Sequence, residues 1–307
     1  MKVLYDYQIF DEQRAGGISR YHANLIEGIG KMPDFDIQLA LLYSDNIYLK
    51  DLGYNFHRQF RNEQCISFKP FPGRNLSFRL LRRMGVNFQG SFLLNATCSR
   101  EVLQKGDYDL FHPTSCYDIY NDIDITKPIV LTIHDMIFES YPEYFPYIDI
   151  INKKKAMAKR AKKIIAVSNY TKQEILKYYD FIKEDDVSVI YHGVRLVSQL
   201  VVEQRNECSI VYVGSRKVYK CFYTLLKAVA IVIKSIPEVE LICVGEELDR
   251  NELEYMKFLG IEGKIRVISH VTDKDLAIIY EKGTILVSTS QIEGFGIPII
   301  EAMNHGL

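Results

Sequence analysis

The chain has 307 residues, 38 of them basic and 39 acidic, for a formal charge of -1; 48% are hydrophobic and 25% charged. At about 100–200 residues per domain the length suggests two domains with sizeable cores, and the composition excludes a disordered chain or a coiled coil. The near-neutral balance argues against a dedicated nucleic-acid binder, which carries a basic excess.

Apolar runs alternate with helical periods from the first residues onward. Val3–Tyr7 reads as a strand, with no charged leader segment ahead of a long apolar stretch. A glycine turn, Ala15-Gly16-Gly17, opens a helix whose apolar face is Ile18, Tyr21, Leu25, Ile26 and Ile29. A strand is expected at Ile37–Leu42. A mixed stretch then sets Arg74, Arg79, Arg82 and Arg83 among Phe78, Leu80 and Leu81. It reads either as a surface for an anionic membrane or as a partly packed loop-helix. Strands follow at Asp109–His112, Ile129–His134, Lys163–Val167 and Val187–Tyr191. Seven basic residues between Lys153 and Lys163 read as a solvated helix face.

Between Gly193 and Cys208 polar residues dilute the apolar signal, and the domain boundary is placed there, giving domains 1–197 and 198–307. Beyond it come strands at Ser209–Val213, Val239–Val244, Lys264–Ile268 and Thr284–Ser288. A helix carries Phe222, Leu225, Leu226, Val229, Val232, Ile233 and Ile236 at the spacing of one buried face. Strand followed by helix, repeated, predicts parallel sheets with helices on both faces. No run reaches the roughly 18 apolar residues of a membrane span. The six cysteines form no C-x-x-C pair and have no close histidine, which reads as reduced thiols in a cytoplasmic protein.

In such sheets ligands bind at the carboxyl ends of strands, so residues there carry the most information. After Thr284–Ser288 comes Glu293-Gly294-Phe295-Gly296-Ile297-Pro298, then Glu301. The glycines permit a tight turn, Pro298 fits a first helical turn, and free N–H groups at that helix start suit a diphosphate. Glu293 and Glu301 can face one cleft, and a carboxylate there accepts hydrogen bonds from vicinal hydroxyls. The alternative is a Gly-Pro loop whose glutamate complements the helix dipole.

After Ser209–Val213 the loop Gly214-Ser215-Arg216 with Lys220 offers two cations to the same diphosphate. The alternative is an ordinary basic surface loop. His134-Asp135 ends a first-domain strand and reads as a polar substrate contact or as a satisfied structural histidine. The Gly16-Gly17 turn is not G-x-G-x-x-G, which counts against a nicotinamide dehydrogenase. The absence of G-x-x-x-x-G-K-[ST] and of G-x-S-x-G removes a P-loop kinase and an α/β-hydrolase.

Taken in order, Gly16-Gly17-Ile18-Ser19-Arg20-Tyr21, Phe111-His112-Pro113-Thr114, Thr132-Ile133-His134-Asp135, Ala166-Val167-Ser168-Asn169, Tyr191-His192-Gly193, Val213-Gly214-Ser215-Arg216 with Lys220, and Glu293-Gly294-Phe295-Gly296 through Glu301 resemble a family 4 (group 1) glycosyltransferase. The resemblance implies an α/β GT-B fold of two Rossmann-like parallel-sheet domains facing a cleft, the second domain incomplete at His305-Gly306-Leu307. It implies metal-independent transfer of a sugar from a nucleotide-sugar donor to a saccharide or lipid-linked acceptor, with retained configuration and no cofactor. The expected setting is cell-surface polysaccharide or glycolipid assembly in the cytoplasm, with peripheral membrane contact and no nucleic acid.

Carried over, Arg216 and Lys220 hold the diphosphate and Glu301 the ribose. Glu293 and the Gly294, Phe295 and Gly296 backbone meet the donor sugar and phosphate. His134 lies near the reacting carbon, Gly16 and Gly17 close on the diphosphate and acceptor, and His270 and Val271 meet the base. One departure is Cys221, which stands where relatives usually carry Asn. The competing reading is an inactive relative that binds nucleotide or sugar without turnover.

Overall fold

A computed structural model describes residues 1–54, 91–145, 148–194, 208–269 and 271–307. These fall into two compact units, Met1–His134 with Tyr147–Ile190 and Asp135–Pro146 with Tyr191–Leu307. The boundary read from sequence at 197/198, the arginine-rich stretch from Arg74 to Arg83, and His270 lie outside the described residues.

In chain order the elements are β1 (Lys2–Tyr5), α1 (Gln8–Glu12), α2 (Gly17–Gly30), β2 (Asp36–Leu39), α3 (Ile47–Asp51), α4 (Ser91–Lys105), β3 (Leu110–His112), β4 (Val130–Ile133), α5 (Ile137–Ser140), α6 (Ile148–Arg160), β5 (Lys163–Ala166), α7 (Asn169–Tyr178) and β6 (Val187–Val189). They continue with β7 (Ser209–Val213), α8 (Phe222–Ser235), β8 (Glu240–Val244), α9 (Arg250–Leu259), β9 (Ile265–Ile268), α10 (Asp273–Lys282), β10 (Ile285–Leu286) and α11 (Ile297–Asn304).

Every strand pair is parallel. The first unit holds sheets of order β2-β1-β3 and β4-β5-β6, joined by a bridge between Phe111 and Ile129. The second holds one sheet of order β10-β7-β8-β9. Parallel sheets are covered on both faces, which is why their strands read as continuous apolar runs rather than as alternation. Each of the ten predicted strands overlaps an observed one, with ends shifted by up to three residues. Among the described residues no helix is long and apolar enough to cross a membrane.

Helix α8 buries Phe222, Leu225, Leu226 and Val229 against Tyr212, Leu241 and Cys243. Each of those larger side chains contributes about 1.5–3 kcal/mol by leaving water. Helix α2 departs from its predicted face. Its buried residues are Ser19, His22, Ala23 and Ile26, while Ile18 and Leu25 are only half-buried. The helix is turned so that His22 meets the rings of Tyr5 and His112 at 6.3 and 5.5 Å. Packing against a partly polar strand end thus overrides the simple apolar stripe.

The end of β1 is fixed by Asp6, which is wholly buried. Its carboxylate accepts from Thr114 N at 2.8 Å, Thr114 Oγ1 at 2.5 Å, Gln8 Nε2 at 2.7 Å and Tyr120 Oη at 3.0 Å. Burial pushes this carboxyl above the usual range, and those donors pull it back. Four donors on one buried carboxyl tie the chain after β3 to β1. Asp6→Ala strands those donors and should lower stability by about 3 kcal/mol, read as a reduced urea midpoint in equilibrium unfolding followed by tyrosine fluorescence.

Candidate functional site

Strand order in the second unit reverses at β7, with β8 and β9 on one side and β10 on the other. A sheet of this kind opens a crevice at the carboxyl ends of the two strands that flank the reversal. A pocket lies there, lined by Tyr212 and Val213 at the end of β7, Val287 and Ser288 after β10, Lys220, Glu293 and Gly296 from the adjoining loops, and Pro298 in the first turn of α11. Gly296 caps α11 with φ 83° and ψ 46°, the left-handed conformation that glycine adopts without strain. Pro298 occupies the first turn, so the helix start offers its free N–H groups at the pocket wall.

Lys220 Nζ lies 2.5 Å from Glu293 Oε1, with the two side chains 18% and 32% exposed. The Thr289 hydroxyl donates to the Lys220 carbonyl at 2.8 Å and Gln291 N to the Tyr219 carbonyl at 2.9 Å. The lysine loop and the glutamate loop are therefore stitched together through backbone as well as side chains. Burial raises the Tyr219 phenol to about 12.

Arg216 has a different environment. Its side chain is 6% exposed; Nε donates to Glu252 Oε1 at 2.7 Å, Nη2 to the Glu247 carbonyl at 2.5 Å, and the guanidinium lies over the Phe222 ring. Glu252 is anchored in turn by a capping box with Asp249 at the start of α9. Arg216 does not line the pocket that Lys220 and Glu293 share. Gly245, at φ 154°, ends β8 beside this loop, and a Cβ there would lie 2.8 Å from the Gly214 carbonyl oxygen. The two strand ends can run so close only with glycine at 245.

Glu301 stands one turn into α11 and accepts the Tyr280 hydroxyl on Oε2 at 3.2 Å. Phe295 meets His192 edge-on at 4.9 Å and Tyr191 at 5.9 Å, and burial lowers His192 to about 4. Val271 follows β9, where Ser269 Oγ donates to Glu247 Oε1 at 2.5 Å. Sequence reading missed Glu252 and Tyr280, because neither sits in a strand-end motif.

In the first unit His134 directly follows β4 and its ring meets Tyr21 edge-on at 5.0 Å and His22 at 6.1 Å. The Tyr21 hydroxyl is 3.1 Å from Thr132 Oγ1, which is 2.9 Å from His112 Nε2. Gly16 caps α2, and the Gln13 side chain accepts from Ser19 N at 3.0 Å over the same turn. So the Gly16-Gly17 turn and His134 are linked through the first two turns of α2. Burial lowers His112 to about 4, so this inner imidazole is neutral near pH 7.

Comparison with known proteins supplies the family context. Residues 15–197 match Glycosyltransferase Family 4 and residues 201–307 match glycosyl transferases group 1. The chain is similar to the O-antigen chain mannosyltransferase RfbU of Salmonella typhimurium, 27% identical over 60% of this chain and 52% of that protein. It is also similar to O-antigen chain mannosyltransferase B of Escherichia coli, 25% identical over 76% of this chain and 64% of that protein. The chain thus spans about half to two thirds of the length of these relatives. Among solved structures, the lipopolysaccharide outer core galactosyltransferase WaaB covers the whole chain and 79% of its own, at TM-score 0.59 and 18% identity. WaaG, a glycosyltransferase involved in lipopolysaccharide biosynthesis, covers the whole chain and 80% of its own, at TM-score 0.61 and 13% identity. The fold is GT-B, as the sequence motifs imply.

Two stability predictions follow from this geometry. Cys221 holds φ 52° and ψ 40° at the start of α8, the one non-glycine residue with positive φ among those described. Asn tolerates that conformation better, so Cys221→Asn should raise stability by about 0.5 kcal/mol, measured as a higher urea midpoint. His112 takes a proton near 6.5 when unfolded but only near 4 when folded. The unfolded state therefore binds more protons between those values, and stability falls as pH falls through the window, by about 3 kcal/mol at its acid end. His112→Gln should flatten that slope in unfolding curves taken from pH 7 to pH 4, leaving the part due to His192.

Proposed function

The chain belongs to Glycosyltransferase Family 4, and we propose that it transfers a hexosyl group from a nucleotide-sugar donor to a saccharide or lipid-linked acceptor, with the anomeric configuration retained. One observation carries the reading. The crevice at the β7/β10 reversal gathers a lysine, a glutamate and the N-terminus of α11 around one pocket.

In this reading the donor diphosphate sits at the start of α11, with Lys220 as its mobile cation and Arg216 behind it. Breaking the glycosyl–phosphate bond builds negative charge on the diphosphate and positive charge on the sugar. Fixed N–H groups and a cation aimed at the leaving group are the largest help available to that step, and no metal takes part. Glu293 and the Gly294–Gly296 backbone contact the donor sugar, Glu301 the ribose hydroxyls, and Val271 and His270 the base. His134 acts near the reacting carbon, and the Gly16-Gly17 turn contacts diphosphate and acceptor. The acceptor hydroxyl forms the new bond on the face the diphosphate leaves, and its proton passes to the departing phosphate oxygen.

The two O-antigen mannosyltransferase relatives support cell-surface polysaccharide assembly as the setting and mannose as the first sugar to test. A lipid-linked acceptor places that work at the cytoplasmic face of a membrane, by peripheral contact. The experiment is a thermal-shift titration with UDP, GDP, ADP and dTDP, followed by transfer from the matching nucleotide sugar. One nucleotide should raise the melting temperature, since a ligand at 100 times its Kd adds about 2.7 kcal/mol, and Glu301→Ala should remove that shift. His134→Ala should keep the shift and lower transfer by about a hundredfold. Absence of any shift would overturn the reading; a shift without turnover would leave a nucleotide-binding protein.

A further inference from the structure

Tyr280 of α10 is 1% exposed and belongs to an apolar cluster with Val211 and Ala302, against which Leu276, Leu286 and Leu307 pack. Phenylalanine would fill that space equally well. Burying a hydroxyl there is costly unless it finds a partner, and it does so by donating to Glu301 Oε2 at 3.2 Å. The ring has a stacking partner as well. His305 stacks on it with centroids 6.0 Å apart and planes 22° apart, and His305 Nδ1 lies 3.1 Å from Glu281 Oε1. The His305 and Glu281 side chains are each 6% exposed. A buried tyrosine stacked by His305 thus holds its hydroxyl against one oxygen of a glutamate that is itself only half-buried.

We propose that Tyr280 is a positioning residue for nucleotide recognition: it orients the Glu301 carboxylate so that both oxygens meet the vicinal 2′- and 3′-hydroxyls of a nucleoside diphosphate. The inference rests on the assignment of Glu301 to the ribose under the proposed function. A glutamate side chain has three free torsions, and accepting two hydroxyls at once requires its carboxylate plane to be fixed. The Tyr280 hydrogen bond supplies that restraint, and Oε2 keeps a second lone pair for ribose.

The test compares GDP, UDP and ADP, each beside its 2′,3′-dideoxy form, by calorimetric titration of the full chain. Wild type should prefer the ribose form of the base it binds. Tyr280→Phe should weaken binding of that form about tenfold and leave the dideoxy form within twofold, because the dideoxy sugar makes no use of Glu301. Glu301→Ala should abolish the preference, and the double variant should bind no more weakly than Glu301→Ala alone. Equal weakening of both forms by Tyr280→Phe would make Tyr280 a packing residue and overturn the proposal. An undiminished ribose preference in Tyr280→Phe would overturn it too, while leaving the proposed function standing. Failure of every diphosphate to bind wild type would overturn the proposed function first and this inference with it.

Discussion

Strand β7 is flanked on one side by the strands that follow it next in the chain, β8 and β9, and on the other by the last strand, β10. Helices that enter and leave on opposite faces cannot cover the point where the order turns, so the strand ends there stay open. The lysine, glutamate and glycine loops all converge on that opening. The same constraint governs backbone chemistry nearby: β7 and β8 end close enough that a side chain at Gly245 would collide with the Gly214 carbonyl. In the first unit β1 lies between β2 and β3, and the chain just after it is held by Asp6 and its donors.

Arg216 and Lys220 are paired in ways that give them different capacities. Lys220 and Glu293 are partly exposed, and water can replace each partner at little cost. Arg216 and Glu252 are each 6% exposed, and separating them would leave a buried charge uncompensated, at a cost of about 3–5 kcal/mol. Lys220 is therefore the one whose carboxylate partner is the more readily exchanged. Arg216 is held outside that pocket, where its pairing with Glu252 joins the loop after β7 to the start of α9. Burial, more than residue type, separates these roles.

Much of the fold was legible in the chain because strands buried on both faces leave long apolar runs, and ten such runs became ten strands. The strand-end loops around Gly214, Lys220, Glu293 and Gly296 were legible for the same reason, since glycine and proline punctuate a strand-to-helix turn. The buried face of α2 was not. Hydrophobicity ranks Ile18 and Leu25 above Ser19 and His22, yet the histidine is buried because aromatic rings and another imidazole surround it. The cysteine at 221 does not by itself predict its left-handed backbone, although the Asn usual at this place in the family fits that conformation.

By itself the sequence determined the alternation of strand and helix, the places where strands end, and the residue types at those ends. These are local quantities, set by period, propensity and punctuation over a few residues. Tertiary structure decided the strand order, and with it which loops meet. It paired Arg216 with Glu252 across 36 residues and Tyr280 with Glu301 across 21. No periodicity links such positions, because contact between them depends on how crossovers stack helices on the sheet. It also decided which charges are dry and which are wet, since burial is a property of the assembled layers and not of any segment read alone.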